Sequence, residues 1–159
     1  MRNLLKIFVI LAISLIFLGC LGQNLPQSKS VLFLIKSKNL KLNDTAFIHK
    51  ARNSSKIQVY SNGQNIFELK FNEKACVNGV CFSKLEFNEK FLGRLHYNSI
   101  FEDILDKKPI YGGKNLVKNA CGFTQNISEN SIKYEICDNK TVFIDKKTNT
   151  KIIIKELYH

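Results

Sequence analysis

Apolar and polar positions alternate two by two through much of the chain. Leu40 and Leu42 alternate with Asn39, Lys41 and Asn43, and Ala46-Phe47-Ile48 continues the run. Ile57, Val59 and Ser61 lead into Asn62-Gly63, and the return carries Phe67, Leu69 and Phe71 against Glu68, Lys70 and Asn72. A strand sends successive side chains to opposite faces. Asn-Gly between alternating segments is the strongest short hairpin signature. The pattern therefore predicts a meander with Phe67, Leu69 and Phe71 buried and Glu68 and Lys70 facing out. Cys76-Val77-Asn78-Gly79-Val80-Cys81 predicts a further hairpin directly after it.

The period changes in the middle. Phe87, Phe91 and Leu92 follow Leu85 at helical spacing, with Asn88 as a candidate cap. Ser99-Ile100-Phe101-Glu102 has the form of a capping box, and Ile100, Phe101, Ile104 and Leu105 make an apolar stripe. Pro109 stops that helix near Asp106 or Lys107, and Tyr111-Gly112-Gly113-Lys114 is a loop. Strands resume after Cys121. Ile132, Tyr134 and Ile136 alternate with Lys133 and Glu135, and Val142 and Ile144 with Thr141, Phe143 and Asp145. Asp138-Asn139-Lys140 and Lys146 to Thr150 are turns, and Ile152-Ile153-Ile154 begins a last strand ending near Leu157. The layout predicts an α+β fold: an antiparallel, curved sheet of meander hairpins with one or two helices inserted mid-chain.

The first residues break this pattern. Arg2 and Lys6 precede an uncharged apolar run from Ile7 to Leu18, closed by Gly19-Cys20. A basic start, a short apolar core and a small residue before the cut form a secretory signal. The run falls short of the ~20 apolar residues that cross a bilayer. Phe17-Leu18-Gly19-Cys20 resembles the bacterial lipobox, although Phe17 and Leu18 depart from its commonest residues. The resemblance implies a Gram-negative lipoprotein, with cleavage before Cys20 and acylation of that residue. Two or three acyl chains anchor a protein almost irreversibly, at ~0.8 kcal/mol per buried methylene. Leu21, where inner-membrane retention would use Asp, implies the outer membrane rather than the inner. The expected organisation is a signal over 1–19, a lipidated Cys and flexible tether over 20–30, and one β-rich domain over 31–159.

Without Cys20, four cysteines remain, an even set in an exported chain. With Asn78-Gly79 as the turn, Cys76 and Cys81 face each other across a non-hydrogen-bonded pair, where side chains approach most closely. Cys121 and Cys137 flank the turn-prone segment Ser128 to Ser131, which predicts a second bridged hairpin worth ~3 kcal/mol in the chain-entropy model. Cys76 and Cys81 have neither Cys-x₂-Cys metal-ligand spacing nor nearby His ligands.

Charge narrows the partners. The chain of 159 residues holds 24 Lys+Arg and 13 Asp+Glu, for +11; losing Arg2 and Lys6 leaves 22 against 13, or +9. Lys29, Lys36, Lys38 and Lys41 all precede the first acid, Asp44. In an exported, tethered protein such charge points to anionic lipid head groups or envelope polymers, or to a solvated lysine surface, rather than to nucleic acid. A membrane held through the lipid anchor is the expected partner, with lipid, an envelope polymer or another envelope protein besides.

Candidate chemistry is sparse. His49, His96 and His159 show no metal-ligand spacing, and no nucleophile elbow or phosphate loop is present. No cofactor, metal site or catalytic residue is expected. The whole chain resembles small lipoproteins of epsilonproteobacteria that have no assigned activity. The resemblance rests on the signal, the Ile57-to-Phe71 hairpin, Ile104-Leu105 before Pro109, and Gly122-Phe123-Thr124-Gln125 with the later runs Val142 to Lys146 and Ile152 to Lys155. The order of strands, helix and strands is also loosely similar to outer-membrane lipoprotein receptors, incomplete barrels that hold acyl chains. Three hypotheses follow. A filled core implies a non-enzymatic binding or structural module. An open cavity lined by Phe67, Leu69, Phe71 and Phe101 implies an acyl-chain or lipoprotein carrier. Convergence of His49 or His96 with an acid and a hydroxyl implies an enzyme.

Overall fold

The computed structural model describes residues 27–127, 129 and 131–157. One antiparallel sheet of eleven strands dominates it, ordered β6-β5-β4-β3-β2-β1-β11-β10-β9-β8-β7. The first meander comprises β1 (Gln27–Lys36), β2 (Lys41–Ala51), β3 (Ser54–Ser61), β4 (Gln64–Phe71), β5 (Ala75–Val77) and β6 (Val80–Phe82). The second comprises β7 (Leu116–Asn119), β8 (Gly122–Ile127), β9 (Ile132–Cys137), β10 (Lys140–Asp145) and β11 (Thr150–Glu156). The two join where β1 pairs with β11, Phe33 opposite Ile154 and Ile35 opposite Ile152. Consecutive strands β6 and β7 are thus the two edges, and the chain between them must cross the width of the sheet.

That crossing holds the helices. α1 (Lys84–Phe87) runs into a π turn over Asn88–Leu92, α2 spans Ile100–Leu105, and a 3₁₀ turn covers Tyr111–Gly113. The expected α+β class is overturned. The helices are too short to form a layer of their own, and the fold is mostly β, with the helical segment laid on one sheet face. The expected caps also shift. Ser83 caps α1 reciprocally with Glu86: the Ser83 hydroxyl accepts from the Glu86 amide at 3.2 Å and the Glu86 carboxylate from the Ser83 amide at 2.8 Å. Asn88 lies inside the helix, buried, donating to the Tyr97 carbonyl at 3.0 Å. Ser99 makes no backbone capping bond. Its hydroxyl turns to Asp103 and Glu102 pairs with Lys84, so the box expected there is absent.

The hairpins follow from backbone chemistry. Asn62 and Gly63 have φ of 49° and 77°, and Asn78 and Gly79 of 47° and 84°, the left-handed pairs a two-residue hairpin requires. Cys76 stands opposite Cys81 and the two are bonded. Cys121 and Cys137 are bonded as well. In the ladder, however, Cys137 faces Gly122 rather than Cys121. Gly122 has φ of 153°, and a Cβ there would sit 2.4 Å from the Ile136 carbonyl oxygen. Only glycine fits beside that bridge.

Alternation is kept in β4, where Phe67, Leu69 and Phe71 are buried. A register shift between Val59 and Tyr60 leaves Ile66 exposed just ahead of them. β10 shows the reverse of an apolar reading. Its buried positions are Thr141, Phe143 and Asp145, while Val142 and Ile144 lie on the opposite, half-exposed face. β1 begins at Gln27, inside the stretch expected as tether.

Candidate functional site

The face beneath the helical segment has two chemically distinct ends. Under β4 and α1 it is aromatic. Phe71 stacks on Phe101 at 4.8 Å and meets Phe87 edge-on at 5.2 Å, and Phe91 continues the cluster against Phe87 at 5.1 Å. The four residues expected around a cavity, Phe67, Leu69, Phe71 and Phe101, are all buried. The helical segment supplies the rings that pack there, so this region is core.

Under β10 the same face is polar. Asp145 is fully buried, and its Oδ2 lies 2.7 Å from Arg94 Nε, in the loop after the π turn. Its other oxygen accepts the Lys147 amide at 3.0 Å, which closes the turn. His96 places Nε2 3.8 Å from the same carboxylate and Nδ1 2.6 Å from the Tyr111 hydroxyl. We assign the proton to Nε2, so that Tyr111 donates to Nδ1. Burial, reinforced by the Arg94 cation, pushes His96 down to about 4. Burial raises Tyr111 as well. Nearby, Thr150 donates to the Leu92 carbonyl at 2.8 Å. Gln125, with no exposure, binds both the amide and the carbonyl of Ile110.

His96 thus converges with an acid and a hydroxyl, the arrangement that implies an enzyme. The imidazole is, however, only 5% exposed and Asp145 is at 0%. A base held near 4 is weak, and a tyrosine with a raised pKa is a poor nucleophile. The four groups instead bridge the helical segment to the sheet. His49 lies on the opposite face of β2, across the ladder from Ser28 and in an open surface hollow it shares with Ser54 and Glu68. The expected lipidation site Cys20 and His159 lie outside the described residues. Asp138 neighbours Cys121 and Cys137, but both sulfurs are spent on each other and offer no thiolate to a metal.

At the rim, Lys50 donates to the Leu105 carbonyl at 3.0 Å and pairs with Asp106. Lys107 binds the Asp138 carbonyl and Glu156, at 3.0 and 2.9 Å. An open hollow of about 440 Å³ between the β2–β3 turn and α2 is lined by charges of both signs, among them Arg52, Lys84 and Glu102. Such a lining suits neither an acyl chain nor a single anion. No helix among the described residues is long and apolar enough to cross a membrane. No protein-family model, no curated protein and no solved structure matches the chain.

Proposed function

We propose that the chain is an envelope lipoprotein, anchored through Cys20 and facing the outer membrane, that works as a non-enzymatic binding or structural module. The observation that carries the reading is the occupied sheet face. Phe87, Phe91 and Phe101 fill the place a hydrophobic ligand would take, and half-buried Arg94 and buried His96, both set against the buried Asp145, tie the covering segment down. The basic start, apolar run and Gly19-Cys20 support the anchor. Native mass spectrometry of residues 21–159 tests the module: the bare mass is expected. Stoichiometric lipid on the purified domain would overturn it.

A second reading, an acyl-chain carrier, has its own support. The helical segment pairs with no strand. Its charged links to the sheet include Arg94 to Asp145, Lys50 to Asp106 and Lys107 to Glu156, with apolar rings and a few neutral hydrogen bonds, such as Thr150 to the Leu92 carbonyl, between them. Lifting it would uncover an apolar trough running from Phe71 past Phe33 to Phe143. Lipid captured in the native spectrum, and lost in Leu69→Lys, would establish that reading instead.

A further inference from the structure

We propose that the sheet face opposite the helical segment docks flat against an anionic phospholipid bilayer. The inference takes the presence of a bilayer from the envelope reading; the surface itself is independent of the lipid anchor.

Five adjacent strands, β3, β2, β1, β11 and β10, form the centre of the sheet. Their acids, Asp44, Asp145 and Glu156, all turn inward: Asp44 stands opposite buried Phe33, Glu156 opposite buried Val31, and Asp145 is buried. The outward positions of these strands hold no acid. They hold Lys36, Lys41, Lys56, Lys140, Lys151 and Lys155. Outward acids appear only on flanking strands, Glu68 on β4 and Glu135 on β9.

The placement of those lysines is the second observation. Lys36 stands directly opposite Lys41 on one side and Lys151 on the other. Lys140 faces Lys155, and Lys56 faces Lys70. Like charges directly opposite on neighbouring strands destabilise a sheet. A merely solvated face would scatter them or intersperse acids; this one concentrates the repulsion where an anionic surface would relieve it.

Apolar side chains lie between the lysine rows. Leu34, Ile153 and Val142 form one lateral row, ended by Asn43 and Glu135; in the next, Tyr60, Thr45 and Leu32 run directly into Lys155 and Lys140. Leu32 is 44% and Phe47 37% exposed, and Phe47 meets Tyr60 edge-on. Apolar groups framed by lysines match a head-group region with acyl chains beneath it, since lysine stems lie along apolar surface while their ammonium groups reach phosphate. The chain before Gln27 enters at one end of β1, the central strand of this face, with Lys36 at the other end. Seven residues from Cys20 span at most ~25 Å, which holds the face close to any bilayer that carries the anchor.

The test is lysine acetylation of the full chain on vesicles of phosphatidylethanolamine and phosphatidylglycerol, against vesicles of phosphatidylcholine alone. Lys36, Lys41, Lys151 and Lys155 should label several-fold more slowly on the anionic vesicles, and recover in high salt. Lys90 and Lys108, on the helical segment, should label equally on both. Lys36→Glu turns two like-charge pairs into opposite-charge pairs. Its thermal midpoint should hold or rise while the protection of Lys151 and Lys155 is lost, a combination that a purely structural lysine would not give. Equal labelling on the two vesicle types, or protection that survives Lys36→Glu, would overturn the docking. Failure of the anchor reads differently: the chain would leave the phosphatidylcholine vesicles yet keep its footprint on the anionic ones.

Discussion

Strands β1–β6 and strands β7–β11 bury different chemistry against the same helical segment. In the first set the buried strand side chains are Val, Phe, Ile, Leu and Ala, with the inward charges Lys29, Asp44 and Lys50 left only partly covered or exposed, and contact is made by rings. In the second set, Gln125, Tyr134, Thr141, Asp145 and Thr150 are all buried among the apolar residues. Apolar packing is non-directional and tolerates sliding. Buried polar groups must find partners in a fixed geometry or cost ~1–3 kcal/mol each. The aromatic end therefore supplies bulk stability, and the polar end fixes where the segment lies.

The largest effect should come from breaking the polar end. Asp145→Ala leaves the Arg94 guanidinium without its buried carboxylate and should cost about 3–5 kcal/mol, measured by urea melts. Replacing both Arg94 and Asp145 by Leu should cost less than Asp145→Ala alone. A double variant worse than the single would show that the pair holds the segment by more than charge.

At the aromatic end, Leu69→Ala should cost about 2–5 kcal/mol, and its outward neighbour Lys70→Ala less than ~0.5 kcal/mol, by the same melts. Similar losses at the two positions would refute the alternation in β4. A Leu69 loss far below that range would mean the aromatic end is loosely packed, which favours a carrier.

The polar end should also be acid-sensitive. His96 is held near 4 in the fold against an ordinary 6.5. The unfolded chain therefore binds the proton first, and stability falls as pH drops from about 6.5 to about 4, by roughly 3 kcal/mol in all. His96→Gln should flatten that stretch of the pH–stability curve. An unchanged slope in the variant would move the titration to another group.

The smallest effect distinguishes polar groups that are used from those that are not. The hydroxyls of Tyr134 and Thr141 are buried with no hydrogen-bond partner among the described residues. Burial raises the Tyr134 pKa. Tyr134→Phe should then be neutral or stabilising by less than ~1 kcal/mol, read as a thermal midpoint that holds or rises. A clear loss would reveal a water or partner at that hydroxyl.

Much of the first meander was legible because its cues are local. Phe67, Leu69 and Phe71 alternate without exception, and Asn62-Gly63 and Asn78-Gly79 need nothing distant to turn. Ser83 and Glu86 were an equally local capping pair, and reading Asn88 as the cap overlooked them. The second meander was less legible because its decisive partners are remote. Val142 and Ile144 look like the buried face of β10. The buried face instead contains Asp145, whose partner Arg94 lies on the far side of α2 in sequence. Nothing in the spacing of Asp145 announces a guanidinium. The fold class failed for a related reason: the helical periods are real, yet the helices they make are only four to six residues long.

The pairing of β1 with β11 also orders events in time. A chain that emerges with its N-terminal side first can close the β1–β2, β2–β3 and β3–β4 hairpins at once, each from near neighbours. The other edge of β1, from Val31 to Lys36, keeps its backbone groups open until Thr150–Glu156 arrives. That edge is a template for a second chain during the interval, and the wait lengthens with the sequence separation that must be closed. Slowed delivery of the last strand should therefore raise aggregation during folding without changing the stability of the finished fold.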